Sequence, residues 1–189
     1  MSMKIIINDN ENLIEINKSK FIGIIKKISN KEEAINILDS LKKEYPLATH
    51  ICYGYILPNT EKYSDDNEPT GTAGIPILDV LKKNNLCYTL AVVIRYFGGI
   101  KLGSNGLIRA YSNSISSLLK DNIKDIEIGY VITIEENYDN SKQIDYLLQN
   151  DIILNKEYLD IIKIKAIVKK KTLETLSNVN YQIIEEKII

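Results

Sequence analysis

The chain of 189 residues carries 24 basic and 25 acidic side chains, a net charge of −1, with 44% hydrophobic and 26% charged residues. That balance excludes a disordered or fibrous chain, and it excludes a protein that coats nucleic acid through a broad basic surface. Such a length can hold one large domain or two small ones, each able to bury a core; with no run of about 18 apolar residues and no leader-like start, neither a membrane span nor a secretory signal is expected, and the cytoplasm is the expected compartment.

In chain order, Lys4 to Ile7 and Leu13 to Ile16 read as two short strands joined by a polar, hairpin-like turn. Ser19 to Ile28 continues as a strand with Gly23 at a candidate bulge. Ser29 or Asn30 then caps a helix, Lys31 to Glu44, whose Ala34, Ile37, Leu38 and Leu41 recur at helical spacing. Thr49 to Leu57 is a strand with His50, Cys52, Gly54 and Ile56 on one face. Pro58 to Gly74 reads as a long surface loop, and Pro76 as the start of a helix bearing Ile77, Val80 and Leu81. The unbroken apolar run Tyr88 to Ile94 marks a central strand covered on both sides, with Arg95 at its C-terminal edge.

A glycine-punctuated loop, Gly98 to Gly106, opens a helix over Asn105 to Lys120 with Ser104 as the expected N-cap. Beyond Asp121-Asn122 the rhythm shortens: strand Ile126 to Ile134, helix Asp139 to Gln149, strands Ile152 to Tyr158 and Asp160 to Val168, helix Lys171 to Val179, strand Tyr181 to Ile188. That βαββαβ order is the split-βαβ, ferredoxin-like plan. The expected organisation is α+β in two domains, 1–122 and 125–189. Charge divides with them: residues 1–124 carry 16 basic and 13 acidic side chains, net +3, and the remainder 8 and 12, net −4. A polyanion contact therefore belongs to the first half, and the acidic second half is a candidate surface for a protein partner.

Six of the nine glycines and both arginines fall between Ser64 and Tyr111, although 22 lysines are spread along the chain. A guanidinium offers planar, multi-donor recognition that an ammonium does not, so Arg95 and Arg109 point to a site. A strand feeding a glycine loop into a helix makes an anion site, because bare amides converge at the positive end of the dipole. Gly98, Gly99 and Gly103 would give close approach, Ser104 its amide and Lys101 a mobile charge; the spacing matches neither the Walker nor the dinucleotide pattern. Asp65, Asp66 and Glu68 either hold a magnesium ion or pair with Arg95 or Arg109, pinning the loop that carries Thr70, Gly71, Thr72 and Gly74. Cys52 and Cys87, on separate predicted strands, read as buried reduced thiols, and a His50/Cys52 catalytic pair is weakly supported at strand spacing. Tyr96, Phe97 and Tyr111 are either core aromatics or platforms for nucleic-acid bases.

S-D-D-N-E-P-T-G-T-A-G (Ser64 to Gly74) and R-Y-F-G-G-I-K-L-G-S-N-G-L-I-R-A-Y (Arg95 to Tyr111) resemble the two signature segments of the IMPACT (YigZ) family. Ser19-Lys20-Phe21-Ile22 and Ala48-Thr49-His50-Ile51-Cys52 resemble its other hallmarks. The resemblance covers residues from about 18 to 120, with Asn67 and Asn105 where the family has glycine; asparagine tolerates positive φ, so the loop shape should survive. It implies an N-terminal domain with the fold of elongation factor G domain IV, including a left-handed βαβ crossover, and a ferredoxin-like domain resembling its domain V. It implies translation-related contact with RNA or a ribosomal component, and the expected function is a non-catalytic, translation-associated regulator or RNA- or ribosome-binding protein. The alternative is an enzyme on a small phosphorylated or nucleotide-like substrate, with magnesium as its candidate cofactor.

Overall fold

The structure, a computed structural model, describes residues 3–189. The fold is α+β and divides into two compact units, Met1–Asp125 and Ile126–Ile189. Among the described residues no helix is long and apolar enough to cross a membrane.

The first unit is built on a five-stranded sheet of β2 (Asn10–Ile16), β3 (Ser19–Lys27), β4 (His50–Leu57), β5 (Thr60–Ser64) and β6 (Thr89–Tyr96), in the order β2-β3-β6-β4-β5 with every neighbouring pair antiparallel. The apolar run of β6 sits mid-sheet because both its faces are covered. On one side Leu90, Val92 and Ile94 pack under α1 (Lys31–Glu44) through Ala34, Leu38 and Leu41. On the other, Ala91 and Val93 meet α2 (Gly74–Lys83) and α3 (Gly103–Ser116) through Ile77, Leu81, Leu107, Tyr111 and Ile115. Helix α1 starts where the chain predicts it: Asn30 Oδ1 accepts the Glu33 amide at 2.9 Å and Glu33 Oε2 accepts the Ser29 amide at 2.7 Å. Such reciprocal capping contributes about 1 kcal/mol.

Four expectations need correction. β1 (Met3–Ile6) forms no hairpin with β2 but pairs with β7 (Ile123–Ile126), brought in by the Ile7 amide on the Asn122 carbonyl at 2.8 Å. Gly23 is no bulge, since β3 runs in unbroken register with both neighbours; a Cβ there would lie 2.5 Å from the Ser114 carbonyl oxygen, so glycine admits α3 onto the strand. The stretch after Pro58 is not all loop, because Thr60–Ser64 folds back as edge strand β5. Cys87 lies just before β6 rather than on a strand.

The second unit is a four-stranded antiparallel sheet, β11-β8-β10-β9, of β8 (Ile128–Glu136), β9 (Ile152–Tyr158), β10 (Ile162–Lys169) and β11 (Tyr181–Ile188). Short helices α4 (Ser141–Leu147) and α5 (Lys170–Thr175) follow β8 and β10, giving the split-βαβ order. Its core gathers Ile132, Ile134, Ile144, Ile162, Ile164 and Leu176.

Candidate functional site

The loop between β5 and α2 is organised by its own aspartates. Asp65 Oδ1 accepts the amides of Ala73 and Gly74 at 3.1 and 2.8 Å, and its Oδ2 accepts that of Gly71 at 2.9 Å. This carboxylate opens α2, which has no side-chain cap of its own. Asp66 Oδ2 accepts the Ile51 amide at 2.6 Å, while the Asp66 carbonyl lies 2.8 Å from His50 Nδ1. These bonds hold Asp66 and Asn67 at positive φ, 42° and 66°. Thr72 Oγ1 donates to the Pro69 carbonyl at 2.6 Å, and Thr70 is exposed. Both aspartates accept backbone amides, which ties the loop to β4 and to the start of α2. Among the described residues no group of three or more His, Cys, Asp or Glu side chains is placed to hold a metal.

Glu68 alone of the three acids pairs with an arginine. Its Oε1 accepts from Arg95 Nη1 and, at 2.7 Å, from the Tyr111 hydroxyl, with His50 Nε2 at 3.8 Å. Three adjacent strands align these groups, since Phe21, Arg95 and His50 are register partners on β3, β6 and β4. The guanidinium lies 5.3 Å from the centroid of Phe21 and 5.4 Å from that of Phe97, and Phe21 meets Tyr111 edge-on at 5.5 Å. Arg95 is only 4% exposed, yet its Nε has no hydrogen-bond partner; a buried unpaired donor costs about 1–3 kcal/mol.

Behind this pair Cys52 donates to the Asp65 carbonyl at 3.1 Å and lies 3.5 Å from the Tyr111 hydroxyl. Burial pushes its thiol up to about 12, and burial, followed by the neighbouring Cys52 and Glu68, drives the Tyr111 phenol upward too. A thiol so protonated is no nucleophile. His50 Nδ1 and the Cys52 thiol each meet a loop carbonyl, of Asp66 and Asp65 respectively, which gives a His50/Cys52 pairing no support.

The glycine loop closes the site from the other side. Gly98 donates to Ser19 Oγ at 3.1 Å, and a Cβ on it would fall 2.0 Å from the Lys18 carbonyl carbon, so only glycine lets the loop lie on the β2–β3 turn. Gly99 and Gly103 take positive φ, 86° and 72°. Helix α3 begins at Gly103, earlier than the sequence implies, with Leu102 at the N-cap and no side-chain cap. Ser104 is thus inside the first turn, and Asn105 is helical rather than left-handed. The start of α3 lines a cleft of about 390 Å³ whose buried and half-buried polar members are His50, Glu68 and Arg95, whose apolar members are Pro69, Phe97, Leu102 and Leu107, and whose exposed members include Lys101, Gly103 and Ser104. A larger hollow, about 620 Å³, runs beside α1 but holds only surface polar groups such as Glu32, Asn36 and Ser40 around a few apolar stems.

The family model of the Impact N-terminal domain matches residues 17–119, more than half the chain. The chain belongs to the IMPACT family. This IMPACT protein is 38% identical to the IMPACT family member YvyE of Bacillus subtilis, across 88% of its own length and 80% of that relative. It is 40% identical to an IMPACT family member of Haemophilus influenzae, with 56% and 54% of the two chains covered. A crystal structure of a hypothetical protein aligns over 99% of this chain and all of that one, at a TM-score of 0.66 and 28% identity.

Every residue of the cleft falls inside the matched stretch of this IMPACT protein. Of the residues that sequence singles out, Arg95, Lys101, Gly103, Ser104 and Glu68 come together there, whereas Asp65, Asp66, Gly71, Thr72 and Gly74 build the loop behind it. Arg95 faces inward and is not a surface contact. Arg109 is exposed on α3 away from the cleft lining. Tyr111 is fully buried, and Tyr96 packs on the α1 side of the sheet, leaving Phe97, 45% exposed, as the aromatic available to a ligand. Leu107 had no chemical signature in the sequence, and helix phase brings it to the cleft, while Ser19 lies outside the lining and accepts the Gly98 amide.

Proposed function

We propose that the protein is a non-catalytic, translation-associated binding protein of the cytoplasm that contacts RNA or a ribosomal component through the start of α3. The observation that carries this reading is a segregation of charge. Lys101 and Arg109 are exposed and, among the described residues, make no ion pair, while the nearby acids are turned inward onto amides or onto Arg95. The local surface therefore keeps its positive potential although the whole chain is near neutral. Family membership supports the reading further, since the resemblance implies a two-domain plan like domains IV and V of elongation factor G, a factor that works on the ribosome. An enzyme on a small phosphorylated or nucleotide-like substrate, with magnesium as candidate cofactor, is the second reading; the aspartates it would use accept backbone amides in this structure.

Co-sedimentation with ribosomes and binding of single-stranded RNA across a salt series test the proposal. Binding should weaken with salt, and Lys101→Ala and Arg109→Ala should each reduce the salt slope by about 1. Affinity and slope unchanged in the double variant would overturn it.

A further inference from the structure

We infer that Phe97 is a stacking platform for an unpaired base of single-stranded RNA, and that the strand's flanking phosphates lie on Lys18 and Lys101. The ring is held in place before any ligand arrives. Its backbone amide donates to Thr49 Oγ1 at 2.9 Å, and the Arg95 guanidinium lies over the ring, 5.4 Å from its centroid. Arg95 is itself fixed by Glu68 and by the Phe21 ring. One side of Phe97 is thus backed by a buried, immobile group, while 45% of the residue stays open to solvent. A planar ligand on the open side gains stacking without the cost of ordering a mobile side chain.

The two lysines reach this ring from different parts of the chain. The loop after Phe97 lies on the β2–β3 turn, so close that a Cβ on Gly98 would meet the Lys18 carbonyl carbon at 2.0 Å. That packing brings Lys18 beside Phe97, and Lys101 lies further along the same loop. Both lysines are exposed and, among the described residues, neither makes an ion pair. Lys18 holds φ at 62°, in a turn position that favours glycine. The acids next to the cleft do not offset this charge, since Glu68 is matched by Arg95 and Asp66 accepts the Ile51 amide. A fixed ring between unpaired cations fits a polyanion that carries free planar groups. Single-stranded nucleic acid is such a polymer, whereas in a duplex the faces of the bases are closed by their neighbours.

The inference deepens the RNA-binding reading and rests on it. Fluorescence anisotropy of the full chain with labelled oligouridylate, oligoadenylate, an abasic strand and a duplex of the same length tests it. At least one homopolymer should bind about tenfold tighter than the abasic strand, which carries the same charge. Phe97→Ala and Phe97→Leu, the second of which keeps an apolar cover over Arg95, should each weaken that homopolymer about tenfold at an unchanged salt slope and leave the abasic strand and the duplex unaffected, whereas Phe97→Trp should retain the affinity. Lys18→Ala should lower the salt slope by about 1 and keep the preference for bases. Wild-type affinity in both Phe97→Ala and Phe97→Leu, an abasic strand bound as tightly as the homopolymers, or a duplex weakened equally by the Phe97 changes would overturn the inference and leave the RNA reading standing. Ribosomes that bind while no strand does would likewise sink the inference alone. Binding of neither strands nor ribosomes would sink both, and binding of anionic phospholipid vesicles in their place would assign the surface to a membrane.

Discussion

Glu68 and Arg95 form an ion pair whose side chains are 3% and 5% exposed, beneath a cleft lined by both. Removing one charge from such a pair strands the other in a low-dielectric setting. Glu68→Gln is expected to destabilise the protein by about 3–5 kcal/mol, as single deletions from buried pairs do, measured by urea denaturation. Glu68→Gln combined with Arg95→Met should lose less than the sum of the two single changes. A loss below about 1 kcal/mol for Glu68→Gln would show the pair to be solvated.

Cys52 sets an alkaline limit on the fold. Its neutral thiol is favoured by burial, so the folded protein keeps a proton that the unfolded chain releases between the ordinary value of 9.0 and about 12. The folded-state value being the higher, the stabilisation is complete below about pH 9 and is lost as pH rises through that window. Urea midpoints for the native protein should fall across it more steeply than for Cys52→Ala, with Tyr111 contributing its share in both. In the folded state at pH 8 Cys52 should resist thiol reagents, and rapid labelling there would refute the burial argument.

Asp65 organises three amides at the start of α2. Asp65→Ala should cost about 1.5–3 kcal/mol, the range for hydrogen bonds to a charged acceptor. Hydrogen exchange should accelerate at Gly71, Ala73 and Gly74 before it does in β6. Equal acceleration everywhere would mean that the change acts on global stability alone.

Two adjacent glycines should respond differently to alanine. At Gly98 the new Cβ meets the Lys18 and Ser19 backbone within 2.4 Å, so the loop must lift off the β2–β3 turn. At Gly99 nothing lies within 4 Å, and only the positive φ resists, a strain of about 1–2 kcal/mol. Gly98→Ala is expected to lower the melting temperature further and to alter the cleft, visible as shifted amide signals at Leu102 and Gly103. Equal losses for the two variants would contradict the close packing.

Much of this arrangement was legible in the chain. Helix α1 followed from the spacing of Ala34, Leu38 and Leu41 behind Asn30, and β6 from its unbroken apolar run. The cleft was less legible because its members meet through register and not through sequence proximity: Glu68 reaches Arg95 only because β5 folds back and returns the loop to the centre of the sheet. Which acid would meet which arginine stayed open, because charge in a sequence carries no direction; the structure pairs Glu68 with Arg95. The pairing of β1 with β7 escaped for a similar reason, since an edge strand of four residues bears no mark of its partner.

The rung Phe21–Arg95–His50 places the candidate site on a sheet whose two faces are both occupied by helices. Alternation along β6 leaves no neutral shift: a slip by one residue would drive the guanidinium under α1 and turn Ile94 toward Glu68. Assembly of the cleft is thus a direct readout of correct strand alignment. A misaligned chain would expose its error at once, as an unpaired charge in each of two places, and folding to the right register and forming the cleft are a single event.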